Sequence, residues 1–164
     1  MTALKTLLFS IVVPGTVAGF IPYSIISRQP ESISPHPGLF RFLGLLPIAA
    51  GALLYCWCAW DFTFAGEGTP APFDPPKKLV ARGPYRYLRN PMYLAVCLVV
   101  TGEALLFQST RLLNYLVFIF LGFNVLVIFY EEPTLRRKFG ESYERYCKSV
   151  ARWLPGMPYK KHAN

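Results

Sequence analysis

Arg82-Gly83-Pro84-Tyr85-Arg86-Tyr87-Leu88-Arg89-Asn90-Pro91-Met92-Tyr93 is the densest cluster of polar and aromatic side chains in an otherwise oily chain, with long apolar runs on both sides of it. Gly83, Pro84 and Pro91 stop a helix from running through the stretch. Three arginines and three tyrosines are therefore held on irregular backbone where an apolar segment begins. At a membrane edge, such a place can grip a polar ligand.

Working outward, residues 92–107 and 112–130 are apolar runs parted only by residues 108–111, which predicts an antiparallel helical hairpin. Upstream, residues 40–60 form another apolar run. Its Gly44, Ala49, Ala50, Gly51 and Ala52 suit close helix approach in lipid, and Trp57 and Trp60 suit an interface. Residues 4–26 are apolar enough to span a hydrocarbon core of about 30 Å. They are too long and lack the cleavage site of a signal peptide, so they read as a transmembrane helix that Pro14 and Gly15 kink or notch. Between these runs, residues 28–37 make a short polar connector. Residues 61–90 make a longer polar loop of the kind that carries function.

The composition agrees with this pattern. A chain of 164 residues with 53% hydrophobic side chains and a mean hydropathy of +0.33 is too apolar for an ordinary soluble domain. The net charge of +8 is not the mark of a nucleic-acid binder, because the cations flank apolar runs. Four cysteines without CxxC pairing read as reduced structural thiols. With only His36 and His162 beside them, neither a zinc site nor a Ser-His-Asp triad can be assembled. The expectation is an all-α polytopic membrane protein with about four transmembrane helices, a cytoplasmic loop and a C-terminal amphipathic helix. Leu135, Phe139, Tyr143, Tyr146 and Val150 recur at helical spacing and define that last helix, which lies on the membrane or over the 61–90 loop. Most lysines and arginines fall on the side that holds both termini and the long loop, which makes that side cytoplasmic.

On that side Gly66, Gly68, Tyr85, Arg89, Asn90, Pro91 and Tyr93 are joined by the acidic pair Glu131 and Glu132 at the end of the fourth span. Glycines permit close backbone approach, and the free amides that open the third helix can hold a carboxylate. A carboxylate pair can receive an ammonium or ribose hydroxyls. S-adenosylmethionine is one ligand that offers all of these groups.

Gly83-Pro-Tyr-Arg-Tyr-Leu-Arg-Asn-Pro-Met-Tyr93, followed by Glu131-Glu-Pro-Thr-Leu-Arg-Arg-Lys-Phe-Gly-Glu-Ser-Tyr-Glu-Arg-Tyr146, resembles the isoprenylcysteine carboxyl methyltransferase and phospholipid methyltransferase superfamily over residues 60–155. The resemblance implies a single membrane domain, residues 1–164, that binds S-adenosylmethionine between the 82–93 segment, the acidic pair and the C-terminal helix. It would methylate a lipophilic or small-molecule acceptor reached from membrane lipid, without a metal or nucleic acid. Arg89, Pro91 and Tyr93 match the family's Arg-His-Pro-x-Tyr segment, Tyr85 its upstream tyrosine, and Glu131 and Glu132 its acids. Asn90 departs from the histidine of many members. Gly66 and Gly68 resemble the Gly-x-Gly of the phospholipid branch. On this reading Arg89 orients an anionic group of substrate or cofactor, and Glu132 fixes the polar end of the cofactor.

The acceptor stays open between a prenylated thiol's carboxylate, a small thiol and a phospholipid amine. A nicotinamide-dependent reductase of the sterol-reductase type is a rival, as is a scaffold without catalysis whose basic loop touches anionic lipid. Blander roles also stand beside the functional ones. The arginines suit a topological flank, the tyrosines an interfacial belt, and the acids a helix first turn with Pro133. Glu103, an acid within an apolar span, reads as snorkelling or pairing with Arg111 or Arg41. Arg145 and Arg152 read as the solvated or headgroup-facing side of the last helix, and could still meet a substrate carboxylate.

Overall fold

The computed structural model describes residues 12–28, 38–65, 79–156 and 158–159. The first described helix is α1 (Val12–Ser27). A tight 3-10 turn (Leu39–Gly44) then leads into α2 (Leu45–Ala65), and a second such turn (Gly83–Arg86) precedes α3 (Pro91–Leu106). From there α4 (Thr110–Leu126) continues through a wide turn (Val127–Glu131) into α5 (Glu132–Phe139), and α6 (Glu141–Ser149) follows. No strand occurs among the described residues, although an isolated parallel bridge joins Leu88 to Ala151.

Leu39–Phe64 and Thr110–Phe139 are each long and apolar enough to cross a membrane, while α1 and α3 are shorter apolar helices. Their outer faces carry exposed Leu46, Leu53, Phe118, Leu121, Val125 and Phe129. In water so continuous an apolar surface would drive association, whereas in lipid it is the ordinary exterior of a helical protein. The chain is a membrane protein with the all-helical fold that its apolar runs predict.

The hairpin between α3 and α4 forms as its four-residue separation requires. Gln108 turns the chain with φ +51°, and Ser109 caps α4 by accepting the Leu112 amide at 3.4 Å. Against α3 lies α2, and the two backbones touch through glycine. A Cβ on Gly44 would collide with the Gly102 carbonyl, one on Gly102 would sit 2.6 Å from Cγ1 of Ile48, and one on Gly51 would sit 2.6 Å from the Ala95 carbonyl. Small residues at both partners allow that approach, and dispersion contacts between backbones replace side-chain packing.

Three features differ from expectation. First, α2 does not stop at Trp60 but runs to Ala65, so Asp61 lies in the helix with only 1% of its surface exposed. A charge in an apolar helix looks like a boundary until its partner, Arg82, is seen. Second, the fourth span does not end at the acidic pair. It continues as one helix to Phe139, and the break falls at Gly140, whose φ of +51° is a conformation that favours glycine. Third, α1 is irregular at Thr16–Phe20 and not at Gly15, where an added Cβ would meet nothing within 4 Å.

Thr16–Phe20 and Val127–Glu131 are both wide turns, closed by hydrogen bonds from the Ile21 amide to the Thr16 carbonyl and from the Glu132 amide to the Val127 carbonyl. Each is followed by a proline, Pro22 and Pro133. A proline ring crowds the carbonyl four residues before it, and widening the preceding turn relieves the clash.

Gly102→Val therefore overpacks the α2–α3 contact and should cost about 1–3 kcal/mol. Gly122→Ala, which meets nothing within 4 Å, should be close to neutral. Thermal unfolding of the two variants in detergent checks the contrast.

Candidate functional site

The length of the continuous helix sets the level of the site. Glu131 lies 21 residues beyond Thr110 (131 − 110), which is about 30 Å at a rise of about 1.5 Å per residue. Because α3 runs antiparallel to α4, that position meets the start of α3. There the Tyr93 hydroxyl is hydrogen-bonded to the Glu131 carboxylate, and the Tyr93 ring lies 4.5 Å from that of Phe123 between centroids.

Adjacent residues on a helix point about 100° apart. Glu131 consequently faces α3, and Glu132 faces the segment that follows α6. Glu132 is buried, with 7% of its surface exposed, and two guanidinium groups hold it. Arg152 grips both of its oxygens, Nε to Oε1 at 2.8 Å and Nη2 to Oε2 at 3.1 Å, and Arg89 Nη1 lies 3.1 Å from Oε1. The Nη1 of Arg89 also lies 3.0 Å from Sγ of Cys147. Its Nε is buried with no hydrogen-bond partner among the described residues. Hydrogen bonding to Glu132 pushes the Arg152 guanidinium further up, against the opposing effect of burial.

Tyr146 of α6 and the chain after that helix clasp the 85–90 stretch. The Arg89 amide donates to the Ala151 carbonyl at 2.9 Å, the Asn90 side chain donates to the Arg152 carbonyl at 3.4 Å, and the Tyr146 hydroxyl donates to the Tyr85 carbonyl at 2.6 Å. Farther along, the Gly156 amide donates to the Tyr87 carbonyl at 3.0 Å, and Trp153 donates to the Asn124 side chain on α4 at 2.9 Å. Tyr143, Tyr146 and Val150 pack over Leu79 and Ala81, so the amphipathic helix covers the end of the long loop. Burial pushes the phenols of Tyr85, Tyr143 and Tyr146 up, which keeps them protonated as donors at neutral pH.

Tyr85, Arg89, Asn90, Tyr93, Glu131 and Glu132 all line one cavity. Six of the residues singled out in the sequence thus converge. Pro91 is fully buried at the first turn of α3 instead, and Gly66 and Gly68 lie outside the described residues. Apolar residues complete the lining, among them Val13 and Val17 from α1, Phe123 from α4 and Val127 from the wide turn that follows it.

The residues fit S-adenosylmethionine. Asn90 occupies the N-cap of α3, but its side chain makes no cap hydrogen bond and is turned to Arg152. Pro91 has no amide and the Leu94 amide donates to the Asn90 carbonyl at 3.2 Å, so the Met92 and Tyr93 amides, which no helix can satisfy internally, could meet an anion, as could the unpartnered Nε of Arg89. Glu131, by contrast, forms no ion pair among the described residues and supplies negative charge beside aromatic rings. The carboxylate and the cation of a zwitterion would thus find separate partners.

The tie from Arg152 to Glu132 and the contact of Cys147 with Arg89 are features of the site that the sequence did not reveal. Arg152 stands at helical spacing on what reads as the solvated face, and only the turn after Ser149 brings it back to Glu132.

A helical membrane protein whose cavity is lined by both charged and apolar side chains defines the class. Residues 39–142 match the family model described as phospholipid methyltransferase, and the chain belongs to that family. It is accordingly a membrane methyltransferase of the phospholipid and isoprenylcysteine type, and the reductase alternative is not favoured. Neither a curated protein nor a solved structure matches it. The matched region ends within α6, so Arg152 lies outside it.

Arg152→Ala removes a two-pronged, charge-assisted contact from a buried carboxylate and should destabilise the protein by about 2 kcal/mol. Arg152→Lys should recover only part of this, since an ammonium cannot reproduce the fork. Hydrogen exchange at residues 150–156 would report the release of the clasp directly.

Proposed function

We propose that the protein transfers the methyl group of S-adenosylmethionine to an amine carried by a membrane lipid, with the whole chain acting as one catalytic unit. The observation that carries this reading is the mixed lining of the cavity, with Arg89, Glu131 and Glu132 beside apolar side chains of α1 and α4. A polar donor and a lipid-borne acceptor need such a pair of environments in one space.

Bound beside the charged side chains, S-adenosylmethionine supplies an electrophilic methyl group on a sulfonium. Arg89 and the first amides of α3 hold its carboxylate. Glu132 acts through Arg89, fixing the guanidinium in place, and does not itself touch the donor. Glu131 and the rings of Tyr93 and Phe123 favour positive charge at the centre of the cavity. The apolar walls from α1 and α4 hold acyl chains and exclude water from the nucleophile.

Among acceptors, the amine is supported by the unpaired charge of Glu131. An amine reaches the site as an ammonium ion and must lose a proton before it can act as a nucleophile, and in this reading the Glu131 carboxylate accepts that proton. A carboxylate acceptor needs no base and would be repelled by Glu131. The lysine- and arginine-rich distribution supports a cytoplasmic position for the charged side chains.

Calorimetric titration of the detergent-purified protein with S-adenosylmethionine and S-adenosylhomocysteine should show saturable binding, weakened at least about tenfold in Arg89→Ala. Labelled methyl should appear on an aminoethyl phospholipid in vesicles and fall by about 10²–10⁴ in Glu131→Gln. Absence of binding by folded protein would remove the methyltransferase reading. Labelling of a prenylated cysteine carboxylate in place of the lipid amine would overturn the acceptor.

A further inference from the structure

Asp61 is a charged residue in an apolar helix, and the site described above makes no use of it. It is 1% exposed, and its Oδ1 accepts from Arg82 Nε at 2.9 Å. Its Oδ2 is buried without a hydrogen-bond partner among the described residues. Carboxylates are seldom left half satisfied in such surroundings, because each ion removed from water costs several kcal/mol unless its geometry is compensated.

The reason for its position lies in the backbone that presses on it. A Cβ on Gly83 would collide with Oδ2 of Asp61 and would lie 2.9 Å from Nε1 of Trp57. Gly83 also has φ +52°, which disfavours any other residue. The chain at 82–83 is thus seated on α2 with its charge on one carboxylate oxygen and its bare Cα against the other. Gly83 opens the turn that drives Tyr85 onto Cys58 and Phe62, with the Phe62 ring 5.3 Å away between centroids. Tyr85 then forms a wall of the cavity, and its carbonyl takes the Tyr146 hydroxyl.

We infer that Asp61 is a positioning residue, a pin on α2 that holds the Arg82–Gly83 backbone down and so sets Tyr85 against the donor end of the cavity. It acts through Tyr85 and touches neither donor nor acceptor. The pin itself rests on geometry alone, while its consequence for the donor rests on the proposed binding of S-adenosylmethionine.

Two buried cysteines allow a direct test. Cys58 lies beneath the Tyr85 turn, whereas Cys97 is buried on α3 away from Asp61, and Cys56 is exposed. The full-length protein in detergent is treated with N-ethylmaleimide, and the rate at each cysteine is read by mass spectrometry. In Asp61→Asn, labelling of Cys58 should rise by about tenfold or more while Cys97 stays protected, and affinity for S-adenosylhomocysteine should fall by about tenfold, a coupling ordinary for groups linked through a shared backbone shift. Adding Arg82→Gln, which restores a neutral amide pair, should recover part of both effects.

Cys58 that stays protected in folded Asp61→Asn protein overturns the pin, and so does simultaneous exposure of Cys97, which would mean general unfolding. If Asp61→Asn does not fold, Gly83→Ala lifts the same turn by pressing a methyl group on Asp61, with both charged residues retained. Selective exposure of Cys58 there supports the pin, and joint exposure of both thiols overturns it. Selective exposure with unchanged nucleoside affinity overturns the link to the cavity. Failure of the wild-type protein to bind S-adenosylhomocysteine removes the donor reading and leaves the thiol result to decide the pin.

Discussion

Glu132 between Arg89 and Arg152 is the interaction on which the arrangement depends. A buried carboxylate is costly, and one guanidinium at its edge would satisfy only part of it. Here Arg152 takes both oxygens as a fork while Arg89 approaches one of them, so a residue from α5 is tied to the start of α3 and to the chain after α6. Three segments far apart in sequence are locked by a single side chain. The lock also orients Arg89, because a guanidinium with Nη1 committed to Glu132 and Cys147 has its Nε direction fixed.

Bringing those segments together requires helices of the right reach. The continuous helix from Thr110 to Phe139 is long enough to cross the hydrocarbon and still carry its acids to the edge, where charge is tolerated. Its wide turn matters because an extra residue in the turn changes which faces the following side chains present. Glu131 and Glu132 sit at the end of that turn and diverge, one toward Tyr93 and the other toward Arg152. Pro133, which forces the widening, thereby contributes to the separation of the two acids.

Division of charge within the cavity follows from that divergence. Glu132 is neutralised by cations, and Glu131 is not, although the two are neighbours in the chain. The same space thus offers a cationic edge at Arg89 and an anionic edge at Glu131, with apolar walls beyond. Tight packing of α2 on α3 through Gly44, Gly51 and Gly102 gives this arrangement a rigid back, since backbones in direct contact have no rotamers with which to yield.

Much of this was legible in the chain alone. Apolar runs of spanning length and the short link at 108–111 determined the membrane class and the α3–α4 hairpin, because burial in lipid demands helices and a four-residue link permits little else. The 82–93 stretch and the Glu131-Glu132 pair marked the site through residue type, since cations, phenols and adjacent acids at the edge of apolar helices are costly without a use. Which acid meets which partner could not be read, because that depends on the wide turn before Pro133 and on the reversal after Ser149. Asp61 looked like the first residue of a loop and Arg152 like solvated surface, for a single physical reason. The sequence shows the charge of a residue but not its partner, and only the tertiary structure brought Arg82 to Asp61 and Glu132 to Arg152.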